Sequence, residues 1–216
     1  MNCFIVLPTY NEAQNLPKLI KLVFALKQNF NFIVVDDNSP DGTGNIAVSL
    51  SKKYPARIFV INRKEKLGLG SAYIAGFKKA LSLKADLIFS MDSDLSHNPK
   101  YLPDFLDKIN SGADVVLGSR YVSGGGVNWS PFRKFLSKGA NFLAKFILGI
   151  KVNDITTGYR CYKASVLNSI DFNSIKSQGY SFLEEILFYC IKKNFVVTEI
   201  PIFFVDRKQG KSKLGQ

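Results

Sequence analysis

Short apolar runs alternate with longer segments of helical period along this chain, and that alternation restricts its fold more than any other feature. Cys3–Leu7, Phe32–Val35, Arg57–Asn62, Leu87–Ser90 and Asp114–Leu117 have the length and β-branched or aromatic content of short buried strands. Between them, Leu16–Leu26 and the segments ending near Tyr54, Leu83 and Ile109 have the character of helices. Strand–helix alternation of this kind predicts an α/β fold with a mostly parallel, doubly wound sheet flanked by helices. Ligands of such sheets bind outside the carboxyl ends of the strands. A further helix is expected from about Leu183, and a strand over Val196–Phe204.

Polar clusters follow three of these strands. They are Pro8-Thr9-Tyr10-Asn11-Glu12, Asp36-Asp37-Asn38-Ser39-Pro40-Asp41-Gly42-Thr43 and Asp92-Ser93-Asp94. Thr9 or Asn11 is placed to cap the first helix. If the strand geometry of Leu87–Ser90 persists, Asp92 and Asp94 point to the same side. Two hard oxygen ligands at a strand end suit magnesium or manganese carrying a substrate phosphate. An isolated Asp-x-Asp is more often a polar loop; three such clusters at one sheet edge make the stronger case for a site. Gly68, Gly70 and Gly76 lack the spacing of a dinucleotide-binding loop and read as a tight turn and helix packing. His97, the single histidine, is either a general base or a supporting group just before a helix capped by Asn98 with Pro99 at its first position.

Charge separates the two halves. Residues 1–110 carry 14 basic and 10 acidic side chains, whereas residues 111–216 carry 15 and 7, for a total of +12. From Arg120 to Lys151 every charged residue is basic, which suits a polyanion or an anionic membrane surface; a lysine-rich soluble surface would give the same count. In 131–150, Phe132, Phe135, Leu136, Leu143, Phe146 and Ile147 recur at helical spacing with Arg133, Lys134, Lys138 and Lys145 between them. This describes an amphipathic helix at a lipid interface, or one packed on its own sheet. Gly124-Gly125-Gly126 suggests a flexible link, and Asp154–Arg160 a polar loop entering a strand. Cys3, Cys161 and Cys190 are widely spaced and read as reduced core residues. No secretory signal is evident and no run reaches the roughly 18 apolar residues of a membrane span, so the expectation is a cytoplasmic protein, soluble or peripheral to the membrane.

The motifs PTYNE at 8–12, DDNSPDGT at 36–43, DSDLSHNP at 92–99, GSRY at 118–121, DITTGYR at 154–160 and DRKQGKSK at 206–213 occur in that order. Together they resemble the inverting family-two glycosyltransferases of the GT-A type. The last three, with the segment around Arg133, resemble the polyprenyl-phosphate mannosyltransferase branch that includes the dolichol-phosphate mannose synthases. The resemblance implies one GT-A domain over 1–216 that moves a hexose, mannose from GDP-mannose, onto a polyprenyl monophosphate at the cytoplasmic membrane face. It implies that Pro8, Tyr10, Glu12, Val35, Asp37, Asp92, Ser93 and Asp94 hold the donor, with Arg207 and Lys213 of a flexible basic loop, 206–216, closing over it. It implies a divalent cation, Mg2+ or Mn2+, on Asp92 and Asp94, with Ser96 where relatives often carry a glutamine ligand. It further implies that Arg120, Arg133 and Ser137 take the acceptor phosphate, and that Asp94, Arg120 and Arg133 carry catalysis. Gln178 stands where some relatives have a lysine. The partners implied are the nucleotide sugar, the polyprenyl phosphate, a membrane surface and a membrane-anchoring subunit, with no nucleic acid.

An acceptor phosphate is already largely anionic at neutral pH, its second pKa being about 6. It needs no general base, which favours the supporting role for His97. Three other readings compete. A UDP-glucose-dependent polyprenyl-phosphate glucosyltransferase is the nearest substitute. A sugar-phosphate nucleotidyltransferase would need a glycine- and arginine-rich loop after the first strand, where this chain has Pro8–Glu12. A basic polyanion-binding module accounts for the charge but not for the clustered aspartates.

Overall fold

In the first strand, β1 (Cys3–Thr9), alternate side chains enter two separate cores. Cys3, Ile5 and Leu7 belong to one and Phe4 and Val6 to the other, as the period of two in a strand requires. The remaining elements of this computed structural model are α1 (Leu16–Phe24), β2 (Phe30–Asp36), α2 (Thr43–Lys53), β3 (Ile58–Asn62), α3 (Leu69–Ser82), β4 (Leu87–Ser90), α4 (Leu102–Asn110), β5 (Val115–Ser119), β6 (Gly126–Val127), α5 (Pro131–Leu148), β7 (Arg160–Lys163), α6 (Ala164–Asn168), α7 (Ser181–Lys192), β8 (Val197–Pro201) and β9 (Phe203–Phe204). Described residues are 1–177, 179 and 181–205, with the backbone alone for Ile147 and Leu148.

Seven strands form one sheet in the order β3-β2-β1-β4-β7-β5-β8. All neighbours are parallel except β7, which runs antiparallel between β4 and β5. The expected mostly parallel α/β sheet is therefore present, with a single reversed strand inside it. β1 lies between β2 and β4, so winding changes direction there and opens a crevice beyond its carboxyl end. Register carries Thr9, Asp36 and Asn62 to the same edge, because Thr9 pairs with Asp36 and Asp36 with Asn62.

Helices cover both faces. On one, α1 buries Leu16, Leu19, Ile20 and Val23, the i, i+3, i+4, i+7 stripe of an amphipathic helix. Each such aliphatic side chain contributes about 1.5–3 kcal/mol when fully buried. On the other, α3 packs through two glycines, one against α7 and one against β1. A Cβ on Gly70 would lie 3.1 Å from Phe182, and one on Gly76 would collide with Val6. Gly68 precedes α3 at φ +90°, a conformation that glycine alone adopts freely. The packing-and-turn reading of these glycines holds. All three cysteines are buried and free; burial pushes the Cys3 thiol up to about 11 and the Cys190 thiol up to about 12.

Several local expectations fail for identifiable reasons. Neither Thr9 nor Asn11 caps α1. Thr9 is the last residue of β1 and donates to Asp36, Asn11 turns the chain at φ 58°, and Asn15 occupies the cap position without a side-chain bond to the helix's first N–H groups. Val196–Phe204 is two strands. After Pro201 the Ile202 N–H donates to Ser119 O, while Phe203–Phe204 leaves the sheet and pairs with Gly126–Val127. Gly124-Gly125-Gly126 is not a loose link: a Cβ on Gly125 would lie 2.6 Å from Ser119 O, and Gly126 is already in β6. The segment over 131–150 is one helix, α5, and it does not bury its apolar face on the sheet. Phe132, Phe135, Leu136, Phe142, Leu143 and Phe146 are all exposed, Phe146 at 79%. Arg207, Lys213 and the 206–216 loop, together with Gln178, lie outside the described residues.

Candidate active site

Three carboxylates lock the turns beyond β1 and β2 together. Asp36 Oδ1 accepts from Thr9 Oγ1 at 2.9 Å and Ser39 Oγ at 2.6 Å. Asp41 accepts the Ala13 N–H at 3.0 Å and the Thr43 N–H at 3.0 Å. Glu12 is buried, with Oε2 accepting from Asn15 Nδ2 at 2.8 Å while its own N–H donates to Thr43 Oγ1. Asp37 faces the third strand instead. It pairs with Arg63 Nη1 at 2.8 Å and accepts the Gly68 N–H at 3.2 Å. Burial raises the Asp37 carboxyl above its ordinary value, and the Arg63 charge opposes that shift without cancelling it. Pro8 and Tyr10 are half-buried beside this pair of turns, with the Lys66 ammonium 4.6 Å from the Tyr10 ring. Val35 is fully buried in the core, so its backbone alone can face a ligand.

The Asp92–Asp94 segment departs from the strand geometry expected of it. β4 ends at Ser90, and Leu95 takes φ 67°, so this segment is a tight turn and not an extension. Within it, Asp94 Oδ1 accepts both the Ser96 N–H at 3.0 Å and the Ser96 hydroxyl at 2.6 Å. Ser96 therefore steadies Asp94. Ser93 Oγ donates to Pro8 O at 3.3 Å and ties the turn to the end of β1. The Asp92 N–H donates to His97 Nδ1 at 3.0 Å, and His97 Nε2 lies 3.8 Å from Asp92 Oδ2. The His97 ring is buried and stacks on Tyr159 at 4.9 Å. Asn98 caps the short helical turn at Pro99, so His97 has the position of a supporting group.

A second cluster gathers opposite. Arg120, just beyond β5, makes a two-pronged pair with the fully buried Asp154, Nε to Oδ2 and Nη2 to Oδ1, both 2.7 Å. Burial alone would lower the Arg120 guanidinium; the Asp154 bonds and charge outweigh it and raise it, and Asp92 adds in the same direction. Arg120 is thus held as a permanent cation within reach of the Asp92 field. Part of its fork is already occupied by Asp154 and Thr156, which leaves Nη1 for a further anion. Its guanidinium lies 5.2 Å from the Trp129 ring centre, and that of Arg133 lies 4.2 Å from the same ring. Ser137 accepts the Tyr121 hydroxyl at 2.6 Å. Arg120 and Arg133 thus meet at the Trp129 ring, and Ser137 joins this region through Tyr121, the residue after Arg120.

Trp129, Phe204 and Arg160 were not singled out by sequence reasoning. The β6–β9 ribbon carries Phe204 between Trp129, at 5.5 Å, and His97, at 5.7 Å. Arg160 is entirely buried and donates to the carbonyls of Thr157, Ile155 and Leu183, which fixes the Asp154–Arg160 loop behind Arg120. For Trp129, its being the only tryptophan, beside the helix start at Ser130-Pro131, was the available signal.

A doubly wound sheet with acidic turns at its switch point is the architecture of a GT-A-like glycosyltransferase. The structure of glucosyl-3-phosphoglycerate synthase from Mycobacterium tuberculosis, in complex with Mn2+, UDP and phosphoglyceric acid, superposes with a TM-score of 0.69 over 99% of this chain and 72% of that one, at 17% identity. The family model for glycosyl transferase family 2 matches residues 4–171, and the chain belongs to that family. It is 44% identical over 98% of its length to a polyprenol monophosphomannose synthase of Mycolicibacterium smegmatis, covering 80% of that protein. It is 40% identical over its whole length to an undecaprenyl-phosphate mannosyltransferase of Micrococcus luteus, covering 88% of it.

Proposed function

We propose that this chain transfers a mannosyl residue from GDP-mannose to a polyprenyl monophosphate, inverting the anomeric centre, at a membrane surface. The observation that carries this reading is the meeting of Arg120 and Arg133 on the Trp129 ring, with the Arg120 charge in the field of Asp92. A phosphate held there is brought up to the donor despite the repulsion between two anions. The names of the two mannosyltransferase relatives support the same sugar and acceptor class.

In this reading the nucleoside lies along Pro8, Tyr10, Glu12 and the Val35 backbone, with Asp37 and its partner Arg63 at the base. The diphosphate reaches Asp92, Ser93 and Asp94. Asp92 and Asp94 are the carboxylates that would hold a divalent cation there; among the described residues no cluster of three His, Cys, Asp or Glu groups exists. That donor set fits Mg2+ or Mn2+, which take one or two carboxylates and complete their shell with phosphate oxygens and water. When bound, the cation supplies Lewis-acid stabilisation of the departing diphosphate. Ser96 belongs to the site as the group that aims Asp94, and as a candidate third ligand.

The acceptor phosphate oxygen attacks the sugar C1 as the C1–oxygen bond to the diphosphate breaks, releasing GDP. No proton need be removed, because the phosphate is already anionic. Arg120 and Arg133 orient it, their planar, permanently charged forks being suited to phosphate. Arg207 and Lys213 would close over the donor. The exposed apolar and basic faces of α5 would rest on an anionic bilayer and bring the lipid's phosphate to the arginines. Among the described residues no helix is long and apolar enough to cross a membrane.

The test is a panel of purified protein, manganese, a short polyprenyl phosphate and several nucleotide sugars, scored for lipid-linked product. GDP-mannose should give a mannosyl phospholipid. Product from UDP-glucose alone would replace the donor assignment, and no product from any donor would refute the reading.

A further inference from the structure

We infer that the indole N–H of Trp129 is a third donor to the acceptor phosphate, set between Arg120 and Arg133. The inference rests on the proposed function above and adds a residue to it. Trp129 Nε1 is buried and has no hydrogen-bond partner among the described residues. Indole is a donor only, so it cannot satisfy itself by accepting, and a buried unpaired donor is a standing loss in the unliganded fold. The group that would relieve it is an acceptor without competing protons, which describes an ionised phosphate monoester.

The surroundings select an anion. Guanidinium groups lie 4.2 Å and 5.2 Å from the ring centre. The nearby carboxylate of Asp154 is already engaged by Arg120 and Thr156. The α5 helix starts one residue beyond Ser130 with no acidic residue in its first turn. The ring itself is held edge-to-face by Phe204, whose other neighbour is His97 behind Asp92. An indole so fixed presents its N–H from a constant direction, and the Arg133 side chain over its face is surface-exposed. One ring therefore serves both as the platform for two cations and as a donor in its own right.

Trp129 is the only tryptophan, so its emission reports on this site alone. The full chain is titrated with farnesyl phosphate, with farnesol and with GDP-mannose. A saturable emission change with farnesyl phosphate and none with farnesol is expected; an equal response to farnesol would mean that the ring senses the hydrocarbon, and would overturn the proposal. The second arm is Trp129→Phe, which keeps the platform and removes the N–H. KM for farnesyl phosphate should rise about tenfold, the loss typical of one hydrogen bond to a charged group, with kcat and the donor KM within twofold. Unchanged acceptor KM, or equal rises in both KM values, would overturn it. A phosphate-dependent emission change in a protein that forms no product with any sugar donor would support the site and reject the transfer reaction.

Discussion

His97 Nδ1 accepts the backbone N–H of Asp92 at 3.0 Å, and the same imidazole stacks on Tyr159. The only histidine of the chain thereby fixes the turn that presents the acidic pair. His97→Asn, whose amide oxygen can stand in for Nδ1, should retain most turnover. His97→Phe, which keeps the ring and loses the acceptor, should lose about ten- to a hundredfold, the range seen when a supporting group behind a metal ligand is removed. Neither variant should change the shape of the pH profile of kcat/KM; a limb present in the wild type and abolished in His97→Asn would make His97 a base.

Asp94 is nearly buried and is aimed by two bonds from Ser96. Asp94→Ala should reduce transfer by at least a hundredfold while circular dichroism and the metal-free melting temperature stay close to wild type. The further rise in melting temperature with GDP plus Mn2+ should vanish. Turnover near wild type would remove Asp94 from the site.

Arg133 is surface-exposed and stacked on Trp129, whereas Arg120 is buried on Asp154. Arg133→Ala should therefore fold normally and raise the KM for polyprenyl phosphate about tenfold or more, with little change for the donor. Arg120→Ala would leave the Asp154 carboxylate buried without its cation, an outcome worth about 3–5 kcal/mol of stability. Steady-state kinetics and urea unfolding of the two variants separate the roles.

Lys134 and Lys138 lie on α5 among the exposed Phe132, Phe135 and Phe142. Each basic residue near an anionic bilayer adds about 1 kcal/mol, so replacing both with alanine should weaken binding to phosphatidylserine vesicles about thirtyfold. Raising the salt should reduce the difference, and neutral vesicles should show little of it. Equal binding by wild type and variant would assign the apolar face of α5 to a protein partner.

Asp114 accepts the Val196 N–H at 2.9 Å and pairs with Lys163 at 2.9 Å, and these bonds hold its carboxyl below the usual value of 3.8. A carboxylate whose folded pKa is depressed stabilises the fold above its unfolded pKa, and that contribution fades as pH falls through the folded value. Asp114→Asn should cost about 1 kcal/mol at pH 7 in urea unfolding and progressively less below about pH 4. A cost independent of pH would assign the effect to packing.

Much of this architecture was legible in one dimension because strand and helix periods are local properties. The alternation of Phe4 and Val6 with Cys3, Ile5 and Leu7, and the Leu16–Val23 stripe, each state which side is buried. Parallel winding then forces the Pro8, Asp36 and Asp92 turns to one edge, so the gathering of these turns, where the proposed donor half lies, could be read without coordinates. Local geometry inside the turns could not: Leu95 and Asn11 take left-handed backbone, and Ser96 bends back on Asp94, choices made by neighbours rather than by propensity.

What tertiary structure alone decided is how the residues of the proposed acceptor half meet. Arg120 is paired with Asp154, which lies 34 residues away, and Phe204 meets Trp129 only because β9 leaves the main sheet after Pro201. Sequence spacing carries no record of such contacts, since they are set by how β5, β7 and β8 stack in register. The exposed apolar face of α5 is of the same kind. Periodicity marks a helix as two-sided, but whether its greasy side is covered depends on where the rest of the chain has been spent.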